Sequence, residues 1–178
     1  EINIAPERFL ALWETLVERV ERIGGVVYGT DAMHVMRAEK GYIVVGLETD
    51  GTTTPDDIGY GWAVGKQKKD FVGKLGLTRE DLTRAGRKQL VGLEPDAPLD
   101  DGLQLTNEAA PAKGTHAIGH VCSAYADTTL GRPIALALVE NGRARMGETI
   151  YAPTGLRPIA CKIVDPVFFD REGARLNV

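Results

Sequence analysis

The segment Arg37-Ala38-Glu39-Lys40-Gly41-Tyr42 alternates cation and carboxylate immediately before the apolar run Ile43-Val44-Val45. Charges beside a core are costly unless they are paired or used. Two uses fit the residue types. Arg37 and Glu39 can close a helix end as an ion pair, or Arg37 can face a cleft and meet an anionic or polar ligand. Other chemistry is sparse. The sequence holds no P-loop, no G-x-G-x-x-G, no G-x-S-x-G and no H-E-x-x-H. His116 and His120 lie four apart, but residues 117–125 read as a strand, where that spacing only puts two side chains on one face. They read as surface or loop histidines, as does His34, and no metal site is expected. Cys122 and Cys161 sit far apart in apolar runs without metal-ligand spacing. They read as buried reduced thiols, which fits a cytoplasmic protein.

Bulk properties exclude several classes. The net charge is −4, and the basic clusters Lys66, Lys68, Lys69 and Arg84, Arg87, Lys88 are short. Neither makes a basic stripe, so no nucleic-acid partner is expected. No apolar run approaches the ~20 residues that span a bilayer, so no membrane association is expected. A length of 178 residues with 43% apolar content suffices for a real core. The chain opens Glu1-Ile2-Asn3-Ile4, without Met or a signal-peptide pattern, and reads as the tail of an alternating strand. A fragment of a larger polypeptide is expected.

The elements that must position these groups fall into two halves. Pro6 suits a first helical turn, and Phe9, Leu10, Leu12, Trp13, Leu16, Val17 and Val20 recur at helical spacing until Gly24-Gly25. Trp13 lies in that stripe and is expected in the core. Residues 23–28 read as extended. Thr30 or Asp31 can cap a second helix that runs to Lys40, with Gly41 as its stop. Residues 42–45 read as a buried strand and residues 50–57 as a loop. Gly59, Gly61 and Gly65 bracket Tyr60, Trp62, Ala63 and Val64, a pattern for backbone packed close to another strand or a flat ligand. Residues 71–84 carry a weak helical period. After Gly86, short apolar runs at 89–93, 117–125, 134–139, 149–151 and 159–164 are separated by turn residues, as in an antiparallel sandwich or barrel. The small residues alternating with Ile134, Leu136 and Leu138 imply that both faces are covered. Asn141-Gly142 signals a hairpin turn. The fold class is α+β, with a boundary near residues 84–86 that gives domains 1–85 and 86–178.

The same segments carry a family resemblance. Residues 31–42, ending Arg37-Ala38-Glu39-Lys40-Gly41-Tyr42, resemble the R-L-E-A-G segment of the glycine-cleavage T-protein (aminomethyltransferase) family. The likeness continues through Gly46-Leu47-Glu48-Thr49-Asp50, Thr54-Pro55, Gly61-Trp62-Ala63-Val64 and Asp70-Phe71-Val72-Gly73-Lys74. The wording around Arg37 to Gly46, with Asp50-Gly51-Thr52, is similar to the form this family takes in alpha subunits of heterotetrameric sarcosine oxidases. Arg87 to Leu93, Leu130 to Val139 and Asp165 to Asp170 extend the resemblance to the C-terminus.

The resemblance implies a partial T-protein-like folate-binding α/β region over 1–85, followed by a C-terminal antiparallel β-barrel over 86–178. It implies oxidative demethylation of sarcosine to glycine by the whole enzyme, with the one-carbon unit passed to tetrahydrofolate as 5,10-methylenetetrahydrofolate. Tetrahydrofolate and the other oxidase subunits are the implied partners. Flavin and NAD sites of the parent enzyme are implied to lie outside these residues. Glu1 matches a family Glu that grips the pterin, where a carboxylate accepts two parallel N–H bonds. Arg37 matches the family Arg at the folate site. Trp62 matches an aromatic that either walls the ligand or packs as core, and Tyr42 and Glu39 are further candidates. The family's catalytic Asp matches nothing here, so no catalytic residue is assigned, and these residues alone are not expected to turn over. The alternatives are a non-catalytic subunit-interaction module, or the same region of a dimethylglycine dehydrogenase or a T-protein.

Overall fold

The computed structural model describes residues 1–155 and 157–176. It separates into two compact units, residues 1–34 and 35–178. The first unit is built on α1 (Pro6–Arg22), which starts with Pro at its first turn and ends at Ile23 before Gly24. Its apolar stripe is not covered. Trp13 stacks on Phe9 at 6.4 Å and remains 46% exposed, against the expected core role. Residues 23–28 form no strand. The second helix, α2 (Thr30–Glu39), passes into the second unit.

Six strands organise that unit: β1 (Lys88–Pro95), β2 (Gln104–Leu105), β3 (Gly119–Tyr125), β4 (Ile134–Glu140), β5 (Thr149–Ala152) and β6 (Ile159–Val164). Their order is β2-β3-β4-β1-β6-β5, and every neighbouring pair is antiparallel. Just past β2, Thr106 exchanges two backbone hydrogen bonds with Tyr151 of β5, at 2.8 and 2.9 Å. The sheet is therefore a nearly closed antiparallel barrel.

Alternation decides what fills it. Ala135, Ala137 and Val139 join Val91, Leu93, Leu105, Ile150, Cys161 and Ile163 in one buried cluster. Ile134, Leu136 and Leu138 belong to another, with Leu90, Cys122 and Ala38 at the end of α2. Small side chains in the interior suit a barrel of few strands, whose lumen is narrow. Both faces of β4 are covered, and full burial of each large aliphatic side chain stabilises by about 1.5–3 kcal/mol.

Three local expectations are corrected. Residues 42–45 do not form a strand. The chain turns there, with Leu47 and Glu48 amides donating to the Val44 carbonyl, while the Val44 amide donates to the Glu48 carboxylate at 2.7 Å. That carboxylate takes the backbone bond a strand neighbour would have taken. Asn141-Gly142 does not close a hairpin. Asn141 is left-handed (φ 52°) and opens the short 3₁₀ turn Gly142–Arg145, which leads β4 to β5, and those strands are not paired. Gly142 is packed against β1, where a Cβ would lie 2.7 Å from Val91 Cγ1. The helical period of residues 71–84 yields only a 3₁₀ turn, Gly76–Thr78, and the single-turn helix α3 (Glu80–Thr83).

Candidate functional site

The Arg37-to-Gly41 segment is where α2 meets the barrel, and each residue makes a different contact. Arg37 Nη1 donates to Glu48 Oε1 at 2.9 Å and to the Tyr42 carbonyl at 3.2 Å. Its Nη2 donates to Ser123 Oγ at 2.7 Å and to the Tyr125 hydroxyl at 3.1 Å. Ser123 Oγ also donates to Glu48 Oε1 at 2.5 Å. Ala38 is fully buried against the barrel. Glu39 is buried too. Its carboxylate accepts from the Thr129 amide at 2.6 Å and from the Thr129 hydroxyl at 2.8 Å, and its carbonyl accepts from the Phe168 and Phe169 amides. Lys40 donates to the Asp170 carbonyl, and its ammonium lies 3.6 Å from the Asp170 carboxylate. Gly41 has φ 72°, and a Cβ there would fall 2.7 Å from the Pro166 carbonyl oxygen.

A β-bulge makes the Arg37 cluster possible. β3 pairs Val121 with Ala137 and then Ser123 with Leu136, so Cys122 is an extra residue. Strand side chains alternate in direction, and one inserted residue reverses the alternation beyond it. Ser123 and Tyr125 are thereby turned outward to Arg37, while Ala124 stays with the interior cluster. The Arg37 side chain is 9% exposed and Glu48 is 0% exposed. Burial works against the guanidinium's charge, but the hydrogen bond and charge of Glu48 outweigh it, and its pKa is raised. The Arg–Glu pair anticipated at a helix end thus exists, with Glu48 as the partner in place of Glu39. Arg37 Nε, also buried, has no hydrogen-bond partner among the described residues.

A second buried pair shapes a cleft. Arg87 Nε donates to Asp57 Oδ1 at 2.9 Å, and its Nη2 also binds that carboxylate. Thr54 caps the same carboxylate through amide and hydroxyl, both at 2.8 Å. Burial alone would raise the Asp57 pKa. The Arg87 hydrogen bond and the Thr54 donors overcome it, so the pKa is lowered. The Asp57 carbonyl accepts from the Leu90 amide at 2.8 Å, which ties the 54–64 loop to β1. Beside this loop lies an open cleft of about 840 Å³ lined by Trp62, Lys66, Arg84, Arg87 and Arg143 among others.

The candidate residues therefore fall in different settings. Trp62 is 77% exposed at the cleft and tilts against Tyr60 at 5.9 Å. Tyr42 is exposed. Arg37 and Glu39 are engaged with the protein itself. Glu1 is exposed in the first unit. His116 meets Glu140 at 2.8 Å on the surface, and His120 stands opposite Gln104 in the β2–β3 ladder. Glu48, Ser123 and Tyr125 were not among the candidates. The sequence signal for Glu48 was a carboxylate just after an apolar run, whereas Ser123 and Tyr125 depend on a bulge that no local pattern announces.

Residues 1–68 match the family model of the GCVT N-terminal domain, and residues 88–170 match the glycine cleavage T-protein C-terminal barrel domain. The chain belongs to the glycine cleavage T-protein family. This T-protein-type chain is 43% identical to sarcosine oxidase subunit alpha of Corynebacterium sp. strain P-1, an alignment covering 98% of this chain and 18% of that protein. With the same subunit from Rhizobium meliloti it shares 38% identity, over 93% of this chain and 17% of that one. It is 30% identical to an aminomethyltransferase of Clostridium botulinum strain 657, over 97% of this chain and 45% of the relative. The chain thus spans less than a fifth of the sarcosine oxidase subunits' length, and its match lies in their C-terminal part. The crystal structure of the glycine cleavage system aminomethyltransferase T from Bartonella henselae has the same fold. Its TM-score is 0.75 over 92% of this chain and 44% of that one, at 24% identity. No helix among the described residues is long and apolar enough to cross a membrane.

Proposed function

We propose that this chain is the folate-handling C-terminal part of a sarcosine oxidase alpha subunit. The observation that carries the reading is 43% identity to such a subunit over 98% of the chain, against 30% to an aminomethyltransferase. In the whole enzyme, sarcosine loses a hydride to a flavin held outside these residues. The resulting methylene iminium passes its carbon to tetrahydrofolate, which leaves glycine and 5,10-methylenetetrahydrofolate. Residues 1–85 belong to the folate-binding region and 86–178 to the barrel. The partners are the other oxidase subunits, and the setting is cytoplasmic, in keeping with two unpaired buried thiols.

The residue roles follow the settings. Glu1 offers a free carboxylate to the pterin's 2-amino and N3 hydrogens, a paired geometry that fixes ring orientation. Trp62 and Tyr42 present exposed aromatic surface for a flat ligand. Arg37 and Glu39 act as positioning residues, holding α2 and the turn after it on the barrel.

The test uses the assembled oxidase. Sarcosine turnover with tetrahydrofolate should give 5,10-methylenetetrahydrofolate. Disrupting this region by Glu48→Leu should divert the carbon to free formaldehyde while hydride transfer continues. Unchanged product partition would sink the reading. It would favour the second one, a non-catalytic interaction module, which the use of Arg37 and Glu39 in docking also supports.

A further inference from the structure

The helix α1 carries an apolar face bordered by two lines of unlike charge. No residue of α1 is buried, and Phe9, Leu10, Trp13 and Leu16 are all exposed. At 3.6 residues per turn, Phe9, Trp13, Leu16 and Val20 fall in one line along the helix. Phe9 and Trp13 stack within that line and form a flat aromatic pad. Exposed apolar surface of this kind marks a contact face.

The charges beside the line are sorted by sign. Glu7, Glu14 and Glu21 recur every seven residues and run along one flank of the stripe. Arg8, Arg19 and Arg22 run along the other flank. Arg22 pairs with Glu18 on the far side of the helix at 2.5 Å. The remaining charges of both lines have no ion pair or side-chain hydrogen bond among the described residues.

A face with this layout complements a copy of itself in one orientation. Two parallel helices that meet stripe to stripe place the left flank of one beside the right flank of the other. The Glu line then lies beside the Arg line at both edges of the seam. Two antiparallel helices related by a dyad meet like flank to like flank, so Glu would face Glu and Arg would face Arg. Charges that border an apolar seam select partner and orientation, while burial of the seam drives the association. Covering the stripe also stabilises the helix itself, since 17 residues alone in water form a marginal one.

We infer that a second copy of this chain covers the stripe, with the two α1 helices parallel and in register. Trp13 then meets Trp13, Leu16 meets Leu16, and each Glu line borders the partner's Arg line. The inference is independent of the folate reading.

Sedimentation equilibrium of the full chain is the test, with Trp62→Phe introduced so that Trp13 is the only indole. Dimers are expected at submillimolar concentration, with a blue shift of Trp13 emission that follows dimer formation. Glu14→Lys/Glu21→Lys should weaken the dimer about tenfold or more, and so should Arg8→Glu/Arg19→Glu. An equimolar mixture of these two variants should associate again. Ile23→Cys should form a disulfide with its own copy, as parallel helices require, while buried Cys122 and Cys161 stay unlinked. Circular dichroism shows whether each variant is folded. A monomer at all concentrations overturns the inference. So does a dimer that survives Trp13→Asp/Leu16→Asp, which would use another surface. Charge reversals without effect, or failure of Ile23→Cys to link, overturn the parallel pairing. If the chain is monomeric and a longer oxidase subunit shields Trp13 from acrylamide, another segment covers the stripe and the inference falls.

Discussion

Arg37 and Ser123 are 86 residues apart in the chain, yet Arg37 Nη2 donates to Ser123 Oγ across 2.7 Å. One hydrogen bond thus joins the end of α2 to the bulged middle of β3. Glu48 completes the triangle, since it accepts from both.

Breaking that triangle from one side should be costly. Arg37→Met leaves Glu48 buried without its cation, and removal of one partner from a buried pair costs about 3–5 kcal/mol. Arg37→Met with Glu48→Leu should lie closer to wild type than Arg37→Met alone. Urea unfolding of the two variants measures the difference.

The Asp57–Arg87 pair predicts an acid limb to stability. The folded pKa of Asp57 is lowered. Its contribution is therefore complete above the unfolded value of about 3.9 and is lost as pH falls through the lower folded value. Wild-type urea midpoints should drop more steeply below about pH 4 than those of Asp57→Asn. The variant should itself be about 3 kcal/mol less stable at neutral pH, because Arg87 loses its partner.

Much of the barrel was legible in the sequence. Residues 134–139 alternate large and small, and the structure sends the two sets to two clusters. Every strand foreseen after Gly86 is present, because each is a short apolar run bounded by turn residues. β2 escaped notice because two residues carry no period. Residues 42–45 misled because β-branched residues favour strands only where a neighbouring strand is available, and here Glu48 satisfies Val44. Arg37 was recognised as a charge in need of a partner, but its partners come from a distant strand whose facing is reversed by one inserted residue. The exposed stripe of α1 was equally hidden, since periodicity reveals an apolar face and says nothing of what covers it.

Gly41 offers a controlled comparison. Both Gly41 and Gly24 have positive φ, at 72° and 76°, but only Gly41 meets backbone where a Cβ would go. Gly24→Ala should cost about 1 kcal/mol from the left-handed conformation alone. Gly41→Ala adds the clash with Pro166 and should cost at least about 2 kcal/mol. Paired thermal melts would expose an equal effect, which the geometry forbids.

Cys122 and Cys161 should be silent in the native protein. Burial pushes each thiol up to about 12. At pH 8 neither should react with a disulfide reagent on the timescale of an exposed thiol, and both should react at once in denaturant. Rapid native labelling of either would contradict the packing.

The bond pair between Thr106 and Tyr151 also limits how this molecule can meet others. Because it brings the first and last strands of the series together, the described residues offer no long unsatisfied ladder on which a foreign strand could be templated. Recognition by strand addition is therefore closed to the barrel, and a partner must read it through side chains and connecting loops.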